Sequence, residues 1–288
     1  MDEEADAWPW PDAPEALPHP VVDNHCHLDH RIKDGLIIDV ADALDRAAAV
    51  GVPRIVQVGC DLEGARWAVE TARQHDAIAA AVALHPNEAP GLDEAGELAA
   101  ALAEIDALAA DPQVRAVGET GLDYFRTGEA GRAAQHASFR EHVRMAKRHG
   151  KALMIHDRDA HDDVLAILDD EGVPERTILH CFSGDADFAR ACLERGAFLS
   201  FAGTVTFKNA PDLRDALKVT PIDRILVETD APFLTPVPYR GRPNASFLVP
   251  ITLRNMAETR GDDLAELCAA VEANTDRAFG GSWPRHTT

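Results

Sequence analysis

The segment RIVQVGCDLEGARWAVETARQHDAIAAAVALHP, residues 54–86, contains the pattern that decides the fold. It begins with an apolar run rich in β-branched residues, which is typical of a buried strand. Asp61 follows and can cap a helix. The apolar positions of that helix recur at 3.6-residue spacing: Ala65, Ala68, Val69 and Ala72. A second apolar run, AIAAAVALHP, ends the segment, so the order of elements predicts a parallel β-α-β unit.

The same alternation continues along the chain. Eight apolar runs read as strands: VVDNHCH, RIVQVGC, AIAAAVALHP, VRAVGET, KALMIHD, TILHCF, AFLSFAG and RILVETDAP. Helical segments lie between them, and one with Phe139, Val143 and Ala146 on a single face should end at Gly150. Eight such units predict an α/β protein with a TIM-type (β/α)8 barrel. The alternative, a doubly wound open sheet, normally has a Gly-rich phosphate turn after its first strand, which this sequence lacks.

The two ends of the chain differ from the barrel. Residues 1–20 are acidic and Pro-rich, and they lack the basic start and apolar core of a secretory signal. We predict a disordered acidic extension with Trp and Pro over 1–20, one barrel domain over 21–280 and a C-terminal tail over 281–288. Five cysteines without a CxxC pair are typical of reduced thiols in a cytoplasmic protein. No apolar run is long enough for a membrane span, and no segment indicates an obligate protein partner.

Metal-binding side chains recur at the predicted carboxyl ends of the strands, where barrels of this kind carry their active sites. His25 and His27 lie two residues apart in the first strand, so their side chains point to the same face. Other strands end in the following residues: His85, Glu119, His156, His180, Glu228 and Asp230. This recurrence at one end of the barrel predicts a metal centre.

Four histidines with Glu119 and Asp230 exceed the ligand set of one tetrahedral zinc ion. They suit two divalent ions (Mg²⁺, Mn²⁺ or Zn²⁺) that share a carboxylate and a water, an arrangement that stabilises the attacking and leaving oxygens of a displacement. The cysteines should be structural. Cys26 alternates with two inward histidines and should point to the helices, and Cys181 follows His180 in the same way.

Four arginines lie just after predicted strand ends, on the rim of the proposed site: Arg126, Arg158, Arg240 and Arg242. The net charge of −21 argues against a protein that wraps double-stranded nucleic acid with a basic face. An anionic substrate must therefore be held locally. We expect the arginines either to bind substrate phosphates or to be solvated loop residues, and His85 either to contact substrate or to support its loop.

Residues 21–280 resemble the TatD family of metal-dependent hydrolases. The matching motifs are DNHCHLD, ALHPNEA, GETGLDYFR, HDRDAHDDVLAIL, HCFSG and ETDAPFLTPVPYRGRPN. The resemblance implies a barrel of the amidohydrolase superfamily that hydrolyses phosphodiester bonds in DNA with divalent metal ions. It implies six metal ligands, with Glu119 bridging two ions: His25, His27, Glu119, His156, His180 and Asp230.

Three positions depart from the family pattern. Asn24 stands where Ser, Thr or Ala is commoner, and Asn87 replaces a second histidine after the His-Pro pair. Arg242 replaces the lysine of an RGK motif and keeps its charge. None of the three is a predicted ligand, but the change at Asn87 bears on substrate contact.

The hypothesis from the sequence is a 3′-5′ exonuclease acting on single-stranded DNA ends. Asp230 and Glu119 would be its catalytic residues, with Asp230 orienting or deprotonating a metal-activated water. The alternatives are a D-aminoacyl-tRNA deacylase and another ester or amide hydrolase of the superfamily. Many amidohydrolases bridge their metals with a carboxylated lysine on strand four, where this chain has Glu119. A non-catalytic binding protein is disfavoured because all six ligands are present.

Overall fold

A computed structural model describes residues 10–30 and 39–287. Eight parallel strands form one sheet in sequence order, as a TIM-type barrel requires. The strands are β1 Val22–Cys26, β2 Arg54–Gly59, β3 Ile78–Val82, β4 Val114–Asp123, β5 Ala152–Arg158, β6 Thr177–Leu179, β7 Phe198–Phe201 and β8 Ile225–Val227. Every predicted strand is present, which confirms the (β/α)8 architecture.

The barrel closes between β8 and β1 through contacts near the ends of these strands. An isolated parallel bridge joins Cys26 to Ala231, and the His27 amide donates to the Ala231 carbonyl at 2.8 Å. Asn24 is buried and its Nδ2 donates to the Val227 carbonyl at 2.9 Å. The side chain that departs from the family pattern thus joins the first strand to the last.

Ten α-helices lie in the described part of the chain: α1 Val40–Ala49, α2 Leu62–Gln74, α3 Ala89–Glu94, α4 Leu98–Ala109, α5 Glu129–His149, α6 His161–Glu171, α7 Ala186–Glu194, α8 Pro211–Val219, α9 Val249–Arg260 and α10 Leu264–Ala278. Asp61 caps α2 by accepting from the Gly64 amide at 2.7 Å, as predicted. Helix α5 ends at Gly150 in the left-handed conformation, with φ 60° and ψ 35°. Among these helices, none has the length and apolarity needed to cross a membrane.

The C-terminal tail closes the amino end of the barrel. Trp283 is only 7% exposed and packs edge-on against Phe279, with ring centroids 6.0 Å apart. Its Nε1 donates to the Ala77 carbonyl at 3.0 Å, and the guanidinium carbon of buried Arg54 lies 4.8 Å from its ring. The segment predicted only as a tail, residues 281–288, therefore contributes a core side chain at the end opposite the predicted active site.

The N-terminal extension also contacts the barrel. Residues 1–9 lie outside the described residues, but Trp10 is 2% exposed and packs edge-on against Phe247. Leu17 is buried as well, and its amide donates to the Val50 carbonyl at 3.0 Å. Over residues 10–20 the structure thus differs from the predicted disorder, because single anchoring side chains leave no periodic pattern in a sequence.

Candidate metal centre and active site

The carboxyl ends of the strands bring the six predicted ligands together: His25, His27, Glu119, His156, His180 and Asp230. Glu119 is buried at the centre of this cluster. Its Oε1 lies 2.6 Å from His156 Nδ1 and 3.0 Å from His180 Nε2. Its Oε2 lies 3.5 Å from His25 Nε2 and 3.9 Å from His27 Nε2. The two oxygens of one carboxylate therefore face two different pairs of imidazoles.

Asp230 completes the cluster on the side of β1. Its Oδ1 lies 3.3 Å from His27 Nε2 and 3.7 Å from His25 Nε2. Its backbone has a φ of 55°, a left-handed conformation that is uncommon for a residue other than glycine. The Asp230 amide donates to the His25 carbonyl at 2.9 Å and holds this conformation. Strained backbone of this kind is often found at functional sites.

Two of the histidines are fixed by hydrogen bonds on the side away from the cluster. His27 Nδ1 donates to the Val58 carbonyl at 3.0 Å, and His180 Nδ1 lies 2.9 Å from Glu228 Oε1. These partners leave Nε2 of each ring to face the cluster, which is the arrangement typical of metal-bound histidine. Imidazole nitrogens and carboxylate oxygens also form a donor set that divalent ions accept. The residues present therefore fit a metal centre.

The charges in the cluster are strongly coupled. Burial lowers the pKa of His25, and the nearby His180 lowers it further. Burial alone would lower the pKa of His180, but the neighbouring carboxylates Glu119 and Glu228 hold it well above its usual value. Burial alone would raise the pKa of Glu119, but His180 and His85 hold it well below its usual value. Since metal binding needs neutral imidazoles, it should release protons and weaken in acid.

Asp123 is a site residue that sequence reasoning missed. Its Oδ2 lies 3.3 Å from His156 Nε2 and accepts from Asn87 Nδ2 at 3.2 Å. Burial raises the pKa of Asp123, but hydrogen bonds from His156 and the Arg126 amide outweigh burial and hold it below its usual range. Asp123 lies four residues after Glu119 in β4, so strand alternation could have found it. Asn87, which replaces the second histidine of the family pattern, therefore supports the carboxylate that orients His156.

Cys26 and Cys60 take opposite positions relative to the cluster. Cys26 is fully buried in the apolar layer that includes helix residues, with its Sγ 3.7 Å from the Val56 carbonyl, so its predicted outward direction is confirmed. Cys60 follows β2, and its Sγ lies 3.5 Å from Glu119 Oε2. Because Cys60 comes directly after a strand, its position in the sequence could have identified it as a residue near the cluster. Half-buried Cys181 donates its amide to Glu228 Oε1 at 2.8 Å.

Replacement of Cys26 by serine is expected to leave metal content and turnover near their wild-type values. The hydroxyl would sit in the outer apolar layer, so the main effect is a loss of about 1 kcal/mol in the free energy of unfolding. Elemental analysis, turnover and chemical denaturation measure these quantities. The matched variant is Cys60→Ser, which changes a thiol next to Glu119. A large loss of metal from folded Cys26→Ser would show that the Cys26 side chain faces the cluster rather than the helices.

The other predicted site residues lie around the cluster. His85 Nε2 is 3.5 Å from Glu119 Oε1, and its side chain remains partly exposed. Arg126 is exposed in the loop after β4. The guanidinium carbon of Arg158, at the end of β5, lies 3.8 Å from the centre of the Phe125 ring. His85 therefore joins the cluster, and Arg158 stacks on an aromatic ring.

The two arginines of the loop after β8 have different neighbours. Arg240 is exposed, and its guanidinium carbon lies 4.0 Å from the centre of the Phe207 ring. Arg242 Nη2 donates to the Trp10 carbonyl. This contact links the loop after β8 to the N-terminal extension.

Comparison with known proteins gives the family. Residues 22–280 match the family model described as TatD related DNase. The chain belongs to the TatD family. An uncharacterized metal-dependent hydrolase TatD of Mycobacterium tuberculosis is 44% identical over 272 residues, which cover 92% of this chain and 100% of that protein. A Cronobacter sakazakii protein named 3′-5′ ssDNA/RNA exonuclease TatD is 35% identical over 248 residues, 84% of this chain and 92% of that one.

Solved structures of the TatD family agree with this assignment. The crystal structure of YjjV, a TatD homologue from Escherichia coli K12, matches with a TM-score of 0.81 at 28% identity. The match covers 91% of this chain and 98% of that one. This TatD-family chain is therefore a metal-dependent hydrolase with a TIM-type barrel, and the cluster around Glu119 is its candidate metal centre.

Proposed function

We propose that this TatD-family hydrolase cleaves phosphodiester bonds of DNA as a 3′-5′ exonuclease on single-stranded ends, with two divalent ions as cofactors. The observation that carries the proposal is the geometry of Glu119, whose two oxygens face separate groups of ligands. A carboxylate placed in this way can bridge two ions, as two-metal phosphodiesterases require. The name of the Cronobacter relative supports the same substrate class and adds RNA to it.

The ligands divide into two groups around Glu119. On the Oε2 side, the other ligands are His25, His27 and Asp230. On the Oε1 side they are His156 and His180, with His85 next to them. Mg²⁺, Mn²⁺ or Zn²⁺ bound here would polarise a phosphoryl oxygen and lower the pKa of a water toward ~7.

Asp230 and Glu119 have different roles in the proposed reaction. The Asp230 side chain is 16% exposed and that of Glu119 is 6% exposed, so Asp230 has better access to a water from the mouth. Asp230 orients the attacking water and accepts its proton. Glu119 holds the two groups of ligands at a fixed separation, and Glu228 keeps the His180 ring in place. Asp230 thus acts on the water, Glu119 on the ligand cluster and Glu228 on the His180 imidazole.

Substrate binding is assigned to residues at the rim of the cluster. His85 lies beside Glu119, and four arginines lie at or after the surrounding strand ends: Arg126, Arg158, Arg240 and Arg242. A net charge of −21 leaves little attraction for a long duplex, which favours a single strand that enters by one end. We place this activity in the cytoplasm, where the five free cysteines would stay reduced.

Hydrolysis of end-labelled substrates tests the proposal. Single-stranded DNA, RNA of the same sequence, duplex DNA and an aminoacyl-tRNA are each incubated with the enzyme and Mg²⁺, Mn²⁺ or Zn²⁺. We expect stepwise release of mononucleotides from the 3′ end of single strands and slower cleavage of the duplex. Deacylation of the aminoacyl-tRNA with no cleavage of DNA would instead establish the ester-hydrolase alternative.

Alanine at Arg240 or Arg242 is expected to lower kcat/KM for single-stranded DNA, mainly through KM. A charged hydrogen bond to phosphate contributes ~1.5–3 kcal/mol, which corresponds to roughly ten- to a hundredfold. The rate on a small phosphodiester with one phosphate should fall much less. Arg224→Ala is the control, since this arginine lies near the Phe198 ring at the amino end of β8. If both rim variants cleave DNA at the wild-type rate, the loop after β8 does not bind phosphate.

A further inference from the structure

Two large aromatic side chains are exposed beside the candidate metal centre. Phe125 is 63% exposed and Phe233 is 49% exposed. Phe125 follows β4 and Phe233 follows β8, and these strands are four positions apart in the eight-stranded barrel. The two rings therefore stand on opposite sides of the mouth. Exposed apolar side chains grouped around a functional site commonly mark a ligand-binding surface.

Phe125 is held in a fixed position. The Arg158 guanidinium covers one face of the ring at 3.8 Å from its centre. The loop itself is closed by Asp123, whose Oδ1 accepts from the Arg126 amide at 2.8 Å. The same carboxylate contacts His156. The exposed ring is thus connected through Asp123 to His156, a proposed metal ligand.

Phe233 is fixed in the same way on the other side. Its ring centroid lies 5.6 Å from that of His30 and 6.2 Å from that of His27, in edge-to-face orientations. Its amide donates to the Asp230 carbonyl at 2.9 Å, and its carbonyl accepts from Asn244 Nδ2 at 2.6 Å. These contacts hold the ring next to two proposed metal ligands, His27 and Asp230.

We propose that Phe125 and Phe233 are platforms on which bases of a single-stranded nucleic acid stack, one on each side of the phosphate to be cleaved. This inference rests on the proposed function and names how its substrate is held. A protein of net charge −21 has little overall attraction for a polyanion, so base stacking adds binding energy to the few local phosphate contacts. Bases in a duplex already stack on their neighbours, so the platforms select single strands. Stacking does not involve the sugar, so DNA and RNA bind alike.

Fluorescence anisotropy measures the contribution of the bases. The metal-loaded enzyme is titrated with a short oligothymidylate and with an abasic oligomer of equal length and charge, both with phosphorothioate linkages that resist cleavage. A stacked base contributes roughly 5- to 150-fold in affinity. We expect the wild type to bind the base-bearing strand at least roughly tenfold more tightly. The Phe125→Ala/Phe233→Ala variant should lose this preference.

The control is Ile222→Ala, because Ile222 is also an exposed apolar residue, at 37%, but precedes β8 at the other end of the barrel. This variant should keep the wild-type preference. Equal binding of the two strands by the wild type, or an unchanged preference in the double variant, would overturn the stacking proposal. Cleavage of labelled single strands by the wild type is measured in parallel. Cleavage without a base preference refutes stacking alone, and a base preference without cleavage refutes only the exonuclease assignment.

Discussion

Replacement of Glu119 by alanine is expected to lower kcat/KM on single-stranded DNA by on the order of a thousandfold. Glu119 is the side chain whose oxygens face both groups of ligands, at 2.6 Å from His156 and 3.5 Å from His25. Its loss would remove the proposed bridge, so the two groups would bind ions independently or not at all. Metal ions stabilise the transition state by several kcal/mol, which corresponds to a rate factor of about this size.

Elemental analysis, circular dichroism and initial rates together test the Glu119 prediction. Metal content should fall below two ions per chain while the circular dichroism spectrum stays unchanged. Glu228→Gln is the matched variant, because Glu228 contacts His180 but lies outside the predicted ligand set. This variant should lower kcat/KM by only roughly ten- to a hundredfold, as expected for a residue that orients a metal ligand. An alanine variant that keeps two ions and full activity would show that Glu119 is not a bridge.

Replacement of Trp283 by alanine is expected to lower the free energy of unfolding by about 3–5 kcal/mol. The indole fills the amino end of the barrel, stacks near the buried Arg54 guanidinium and donates to the Ala77 carbonyl. Truncation leaves a cavity. It also removes one of the two hydrogen bonds to the Ala77 carbonyl and the ring contact of Arg54, whose guanidinium keeps its ion pairs with Glu272 and Asp276. Protein stabilities are typically about 5–15 kcal/mol, so this is a large part of the total.

Thermal and chemical denaturation measure the effect of the Trp283 substitution. Trp283→Phe is the control, since it retains an aromatic ring and loses the hydrogen bond, at a cost of about 1 kcal/mol. Turnover per folded molecule should stay constant in both variants, because Trp283 lies at the end of the barrel opposite the proposed metal ligands. An unchanged melting temperature in the alanine variant would show that the tail does not contribute to the core.

The eight strands and the six proposed ligands were predictable because their signals are local. A strand of five to seven residues carries its own hydrophobic pattern, as in Arg54–Gly59 and Ala152–Arg158. In a parallel barrel all carboxyl ends meet at one rim, so residues at strand ends such as His25 and Asp230 must approach one another. Asp123 belonged to the same pattern, since it shares a strand face with Glu119.

The ends of the chain were not predictable from such patterns. Trp10 and Trp283 are single anchors in segments without periodicity, and each is buried by contacts with residues far away in the sequence. Their burial depends on cavities that exist only once the barrel has formed. The same holds for Arg242, whose hydrogen bond to Trp10 joins positions more than two hundred residues apart.

The sequence by itself thus determined the architecture of the barrel and the end at which the six proposed ligands meet. Tertiary structure decided which oxygen of Glu119 faces which histidines, that Cys60 rather than Cys26 borders the cluster, and that Phe125 and Phe233 remain exposed. The physical reason is that sequence patterns are local, whereas these features depend on contacts between residues far apart in the chain. Periodicity fixes the face on which a side chain lies, whereas distances, tautomers and exposure depend on partners that only the closed barrel brings within a few ångströms.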